Sequence, residues 1–130
     1  GEIKMANFYC EYCGQLFSSV ASLTNYNCQR HPDGNGKGKH KLYEGSEKSQ
    51  YTCKYCGQKY SSISSLTNYN CQRHPDGNGK GKHKLYEGSE KSQYTCKYCG
   101  QKYSSISSLT NYNCQRHPNG NGKGRHAPAL

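Results

Sequence analysis

A pattern of three cysteines and two histidines occurs three times along the chain, each time after an interval of 43 residues. Together the three sets account for every cysteine and histidine in the sequence: Cys10, Cys13, Cys28, His31 and His40; Cys53, Cys56, Cys71, His74 and His83; Cys96, Cys99, Cys114, His117 and His126. A constant period of this length indicates an array of small modules rather than one globular domain.

The composition leaves each module few residues with which to build a core. Only 31% of the 130 residues are hydrophobic, and the chain has no Trp. Ordering a module of about 30 residues costs roughly 1.5 kcal/mol per residue, and domains this small usually depend on a metal or on disulfides. Three cysteines per repeat leave one unpaired within each module, and the total of nine is odd, so a metal is the better explanation.

Thiolates and imidazoles are the ligands that zinc prefers, and Cys-x2-Cys is a spacing that zinc sites use repeatedly. A structural zinc contributes about 10–16 kcal/mol in small finger peptides at neutral pH, which is enough to decide whether a module folds. We therefore predict three structural zinc ions per chain. Three thiolates and one imidazole around each ion would leave no open position, as is typical of structural rather than catalytic sites.

Local signals predict the secondary structure of the first module. The stretch from Phe8 to Phe17 fits a short β-hairpin with Cys-x2-Cys in its turn, where the glycine after the second cysteine supplies backbone freedom. Ser18 or Ser19 is typical of a helix N-cap. Apolar side chains at helical spacing then predict a helix of two to three turns that ends near Cys28.

The first two thirds of each repeat resemble a two-Cys, two-His (ββα) zinc finger. The motif runs from Phe8 through Cys10, Cys13 and Phe17 to Leu23 with the family's spacing. The later copies keep this spacing and have tyrosine in place of both phenylalanines. The resemblance implies a small zinc-stabilised α+β fold, with three tandem ββα-like modules in this chain.

The repeats divide the chain into three modules and two connectors. We predict modules at 7–42, 50–85 and 93–130, with polar linkers at 43–49 and 86–92. Each linker contains one glycine, is expected to be flexible, and resembles the connectors between related fingers. Repeats two and three are nearly identical, so each module presents nearly the same surface.

The last two ligands depart from the resemblance. The family's first helix histidine would fall on Tyr26, which does not replace an imidazole, so Cys28 is expected as the third ligand. His40 is favoured as the fourth because the linker follows it directly, whereas His31 lies three residues after Cys28 and is the alternative. The expected ligands are Cys10, Cys13, Cys28, His40, Cys53, Cys56, Cys71, His83, Cys96, Cys99, Cys114 and His126, with His31, His74 and His117 as the alternative histidines.

The chain is strongly basic, with 18 Lys and Arg against 8 Asp and Glu and a formal net charge of +10. Three thiolates on each zinc would leave it at about +7. An acidic partner such as nucleic acid is therefore expected, with solubility as the alternative explanation. The candidate phosphate-binding residues follow the helix of each module, beside a glycine-rich loop: Arg30, Lys37, Lys39, Arg73, Lys80, Lys82, Arg116, Lys123 and Arg125.

These features favour a tandem zinc-finger protein that binds DNA or RNA through phosphate contacts with weak sequence specificity. The resemblance would place base-reading residues at Ser19, Ala21, Ser22 and Asn25, a set without the Arg or Gln that discriminate bases well. The alternative is a protein-interaction array that presents one face three times. No nucleophile and base recur outside the cysteine and histidine sets, so we expect neither an enzyme nor a small-molecule substrate.

Cysteine usage and hydropathy bear on the compartment. An odd number of cysteines without a disulfide framework favours a reducing, intracellular environment, in the cytoplasm or the nucleus. No stretch approaches the roughly 20 apolar residues of a membrane span, and no apolar segment resembles a secretory signal. We expect no membrane association.

Overall fold

A computed structural model describes residues 8–45 and 47–130; residue 7 of the predicted first module and residue 46 of the predicted first linker lie outside them. Each module contains an antiparallel hairpin of two short strands followed by a short helix. This arrangement confirms the predicted α+β class. The elements are β1 (Phe8–Tyr9), β2 (Leu16–Phe17), α1 (Val20–Asn25), β3 (Tyr51–Thr52), β4 (Lys59–Tyr60), α2 (Ile63–Leu66), β5 (Tyr94–Thr95), β6 (Lys102–Tyr103) and α3 (Ile106–Leu109).

A serine caps each helix at its first turn. Ser19 is extended (φ −150°, ψ 157°), and its side chain accepts a hydrogen bond from the Ser22 backbone N–H, so Ser19 rather than Ser18 is the N-cap. The equivalent serines cap α2 and α3 in the same way. Leu23 is fully buried, and its helix contacts both strands of the hairpin.

The predicted end of the helix near Cys28 is wrong, because α1 ends at Asn25. Tyr26 is extended (φ −111°, ψ 148°), and its carbonyl accepts the His40 backbone N–H at 3.1 Å. Asn27 then pairs with Lys39 in an antiparallel bridge. Backbone groups that a longer helix would satisfy internally are therefore satisfied across the glycine-rich loop. The helices α2 and α3 are shorter still, with four residues each.

A further extended segment returns to the hairpin after the loop. The Glu11 N–H donates to the Lys41 carbonyl at 2.8 Å, and the Tyr43 N–H donates to the Tyr9 carbonyl at 2.7 Å. Between these two bonds, Cys10 pairs with Leu42. The pairing fixes the histidine-bearing end of the loop against the cysteine-bearing hairpin and continues into the first connector.

The connectors contact the modules that follow them. Tyr43 is buried in a cluster with Ile63 and other residues of the second module, and its ring meets Tyr51 edge-on with 5.9 Å between centroids. Tyr86 meets Tyr94 in the same way at 5.8 Å. These contacts tie the connectors to the modules. The expected flexibility of the linkers and the exact module boundaries stay predictions.

Candidate metal centres

The turn of each hairpin contains the two cysteines of the Cys-x2-Cys motif. In the first module the Cys10 N–H donates to the Gln15 carbonyl at 3.0 Å, and the Gly14 N–H donates back to the Cys10 carbonyl at 2.8 Å. Gly14 has a φ of +76°, a left-handed conformation that favours glycine because a Cβ would be strained there. This tight turn holds the Cys10 and Cys13 thiols close together, as the sequence predicted for the glycine.

The antiparallel pairing across the loop supplies the other two side chains. The Cys28 N–H donates to the Gly38 carbonyl at 2.7 Å, next to the bond between His40 and Tyr26. The turn between them is tightened by the Gly36 N–H, which donates to the Cys28 carbonyl at 2.9 Å. As a result Cys28 and His40 lie side by side although twelve positions separate them in the sequence. Both are buried.

Three Cys3His clusters result, one in each module. In every cluster the four possible ligand atoms lie within 4.8 Å of one another. They are formed by Cys10, Cys13, Cys28 and His40; by Cys53, Cys56, Cys71 and His83; and by Cys96, Cys99, Cys114 and His126. No other group of three or more potential metal ligands occurs within the described parts of the chain.

The distances fit a tetrahedral zinc ion. Sulfur ligands about 2.3 Å from one zinc lie about 3.8 Å apart at the tetrahedral angle, and the Cys10 and Cys28 sulfurs are 3.8 Å apart. The equivalent separations in the other modules are both 3.9 Å. A disulfide would require about 2.05 Å. The clusters therefore bear out the prediction of three structural zinc ions per chain.

Backbone N–H groups and a neighbouring thiol surround the cysteine sulfurs and favour the thiolate form of one cysteine in the first cluster and of one in the second. The Tyr12 N–H donates to the Cys10 sulfur at 3.3 Å and the Gln15 N–H to the Cys13 sulfur at 3.4 Å. A hydrogen bond from the Cys13 thiol lowers the pKa of Cys10 to about 4, and one from the Cys53 thiol lowers that of Cys56 to about 5. One thiol in each of these two clusters thus gives up its proton readily. Burial raises the pKa of Cys28 and Cys71, so a bound cation has to displace the protons of these thiols.

The imidazole of each cluster faces the thiols through Nδ1. The His40 Nδ1 lies 3.4 Å from the Cys13 sulfur, and the two copies repeat this distance. In the second module the opposite nitrogen, Nε2 of His83, lies 3.3 Å from the Tyr60 hydroxyl. With Nδ1 as the metal ligand, Nε2–H donates to Tyr60, which fixes the tautomer and the ring orientation. Tyr103 makes the same contact with His126 at 3.4 Å.

The histidine before proline lies outside the cluster and supports the loop. The His31 Nδ1 accepts a hydrogen bond from the Asp33 N–H at 3.2 Å, and its ring meets Tyr12 edge-on at 5.2 Å. Its Nε2 packs so closely on Gly38 that a Cβ there would lie 2.3 Å away. His74 and His117 make equivalent contacts. The alternative ligand set is therefore not the one that the structure brings together.

The structure separates the predicted phosphate-binding residues into two groups. Arg30 and Arg73 donate hydrogen bonds to the helix of the following module. In this structure they therefore join successive modules. The remaining members are exposed: Lys37, Lys39, Lys80, Lys82, Arg116, Lys123 and Arg125. Lys39, Lys82 and Arg125 each donate to a carbonyl at or just beyond the end of the module's helix.

Two features of the site were missed from the sequence. The Tyr60 and Tyr103 hydroxyls bond to ligand histidines, a contact that the motif does not predict. The signal available was the replacement of Phe17 by tyrosine in the later copies. The contact of Arg30 with the next module had no signal within a single repeat, since its partners lie 34 to 38 residues away.

No protein-family model, curated protein or solved structure matches the chain. Within residues 8–45 and 47–130, none of the helices has the length and apolar character to cross a membrane. The fold and the clusters define the chain as a tandem array of three small Cys3His zinc-binding modules.

Proposed function

We propose that this array is a variant of the two-Cys, two-His zinc-finger class and that it binds nucleic acid, DNA or RNA. Binding would depend on phosphate contacts and have weak sequence specificity. The hairpin, its Cys-x2-Cys turn and the capped helix support the class. The third and fourth ligands differ, since an antiparallel pairing rather than a helix carries them. Four protein ligands around each ion support a structural metal and a binding role rather than catalysis.

One observation carries the proposal: each module exposes a tyrosine ring beside a basic side chain. Tyr26, Tyr69 and Tyr112 are 58%, 53% and 53% exposed. Each stacks on an aromatic of the hairpin, with interplanar angles of 15°, 15° and 17°. The stacking orients the tyrosine and leaves its outer part open. We call each ring together with its neighbouring cation, Lys39, Lys82 or Arg125, a stacking patch.

The stacking patches suit unpaired bases. Lys39 Nζ donates to the Asn25 carbonyl at 3.1 Å, which places the ammonium group beside the residue that precedes Tyr26. Lys82 makes the same contact with Asn68 at 3.2 Å. An aromatic ring accepts any base, and a cation beside it neutralises the phosphate, so this combination binds single strands without a sequence code.

Several residues of the helix face that reads bases in related fingers already make hydrogen bonds within this chain. Ser19 is the N-cap, and its side chain accepts from the Ser22 backbone and donates to the Ser22 hydroxyl. In the second module, the Asn68 side chain and the Ser64 carbonyl accept hydrogen bonds from Arg30. Duplex reading in a major groove would require this face to be free. The contacts thus support weak specificity.

Fluorescence anisotropy with labelled mixed-sequence single strands and duplexes tests the proposal. We expect measurable binding at about 50 mM salt that weakens steeply by about 200 mM. Replacing Tyr26, Tyr69 and Tyr112 together with Leu should reduce single-strand affinity about fivefold or more, because stacking contributes about 1–3 kcal/mol per base. Duplex affinity should change little. Zinc content and circular dichroism control for folding.

Replacing Lys37, Lys80 and Lys123 with Gln should weaken single-strand and duplex binding alike and reduce the salt dependence. Absence of binding to both nucleic acids at about 50 mM salt would contradict the proposal. A pull-down partner that survives nuclease and high salt would then favour the protein-interaction array.

A further inference from the structure

The two module junctions use the same contact, which we call the joint. Arg30 donates to the Ser64 carbonyl at 2.7 Å, to the Thr67 hydroxyl at 3.1 Å and to the Asn68 side-chain oxygen at 3.2 Å. The next junction repeats these bonds between equivalent atoms. Arg73 donates to Ser107, Thr110 and Asn111 at 2.7, 3.1 and 3.3 Å.

The joint also brings two backbones together. A Cβ added to Gly14 would lie 2.5 Å from the Ser64 nitrogen, and one added to Gly57 would lie 2.4 Å from the Ser107 nitrogen. The turn of one hairpin therefore sits directly on the helix of the following module. Because the first module differs from the second at many positions, the recurrence of this geometry indicates that the joint belongs to the module itself.

The donor half of the joint consists of the arginine and the hairpin glycine, and on the third module it is open. Arg116 is exposed, whereas Arg30 and Arg73 are partly buried. A Cβ added to Gly100 would meet nothing within 4 Å. Among the described residues, then, no helix is docked on this face.

The acceptor half of the joint consists of the helix and, in the second and third modules, the two residues after it. Within residues 8–45 and 47–130, the acceptor half of the first module has no docked partner and already has the required form. Thr24 and Asn25 occupy the positions of Thr67 and Asn68. The Thr24 hydroxyl donates to the Val20 carbonyl at 3.0 Å, as the Thr67 hydroxyl donates to the Ile63 carbonyl at 2.9 Å. Thr24 is exposed, however, whereas Thr67 is buried under the joint.

An exposed apolar side chain accompanies the open acceptor half. Val20 is 39% exposed, while its counterpart Ile63 in the second module is 4% exposed. A docked copy could cover this side chain as the second module's counterpart is covered.

We propose that a second copy of this chain docks its first module on the third module of the first copy, through the same joint. Arg116 would donate to the Ala21 carbonyl and to the Thr24 and Asn25 side chains of that copy. The change from Ser64 to Ala21 costs nothing here, because Arg30 uses only the Ser64 carbonyl. The contact is head-to-tail and leaves one open half at each end, so it adds further copies in a row.

This contact between chains is weaker than the joints within a chain. A connector holds successive modules at an effective concentration in the millimolar range, which separate chains lack. Ala129 also occupies the position at which Tyr43 and Tyr86 pack on the following module. Association should therefore become visible only at high protein concentration.

Sedimentation velocity of the zinc-loaded chain tests the proposal. We expect the average mass to rise between about 10 µM and about 1 mM, the range in which a contact this weak forms. Arg116→Ala should abolish the rise. Arg30→Ala serves as a matched control, because it removes an internal joint and leaves both open halves intact. A monomer throughout this range, or association unaffected by Arg116→Ala, would overturn the proposal.

A mixing experiment tests the head-to-tail polarity. Ala21→Arg places bulk and positive charge on the exposed acceptor half, while Arg116→Ala removes the donor. Each variant should be monomeric alone, but an equimolar mixture should form a dimer that grows no further, because each partner supplies the half that the other lacks. Zinc content verifies that both variants fold. A mixture that stays monomeric while the wild type associates would contradict this polarity.

Discussion

The first and second modules hold the same four ligands in the same geometry but support the imidazole differently. His83 bonds to the Tyr60 hydroxyl at 3.3 Å, whereas the equivalent aromatic beside His40 is Phe17, which has no hydroxyl. The ring centroids are 4.9 Å apart in the first module and 5.3 Å apart in the second. The aromatic contact is thus common to both, and only the hydrogen bond differs.

This difference indicates that one set of contacts positions the metal ligands and another adjusts the basicity of the imidazole. The hairpin turn and the pairing of Cys28 with Gly38 position the metal ligands. They do so in the first module without a tyrosine hydroxyl. The hydroxyl acts on the proton at Nε2, which raises the basicity of the bound imidazole. The first module should therefore be the weakest of the three zinc sites.

Removing a ligand histidine should have the largest effect. His40→Ala or His83→Ala should each reduce the zinc content from three ions to two, and the affected module should unfold, since the zinc contributes on the order of 10 kcal/mol. Metal analysis and circular dichroism measure this. His31→Ala and His74→Ala are the matched controls and should retain three ions. The reverse pattern would show that the histidine before proline is the ligand.

Exchanging the aromatics beside the imidazole should have an intermediate effect and tests the comparison directly. Tyr60→Phe should weaken zinc binding by the second module up to about tenfold, the lower part of the range for such outer contacts. Phe17→Tyr should strengthen the first site. Chelator competition, followed through the amide NMR signals of each module, gives the order of zinc loss. An order unchanged by either exchange would show that the hydroxyl does not tune the metal.

The sequence predicted the parts of the site that depend on local spacing. Cys10 and Cys13 lie in one turn whose glycine needs a positive φ, and Ser19 caps the helix three residues before Ser22. Such features involve neighbours in the chain and leave a direct signal. The favoured fourth ligand came from a comparison of repeats, because the linker follows His40 in the first two of them.

The remaining parts depend on contacts between distant residues. The helix ends at Asn25 because Tyr26 pairs with His40 across the loop, a bond that helical periodicity does not reveal. Arg30 was expected to contact phosphate because only its charge was visible. Its three acceptors lie in another module, and a pattern read within one repeat contains no trace of them.

The smallest expected effect concerns a residue found only in the first module. Glu11 is 7% exposed and lies 3.1 Å from the Lys41 ammonium group, whereas the later copies have lysine at this position. The pKa of Glu11 is raised from 4.5 to about 7, chiefly by burial and secondly by a hydrogen bond with the Glu87 carboxyl. The folded state therefore holds this proton more tightly than the unfolded chain, so the contribution of Glu11 to stability falls as the pH rises from 4.5 to about 7.

Glu11→Gln removes this ionisation and keeps the shape of the side chain. The variant should unfold at a higher temperature than the wild type at pH 8 and at nearly the same temperature at pH 5, with a modest difference because Lys41 offsets part of the cost. Protonation of the zinc ligands also lowers stability in acid, but it affects both proteins equally, so the difference between their midpoints isolates Glu11. A variant that is less stable than the wild type at pH 8 would mean that the ion pair with Lys41 outweighs burial, and that the first module tolerates its buried carboxylate because of that lysine.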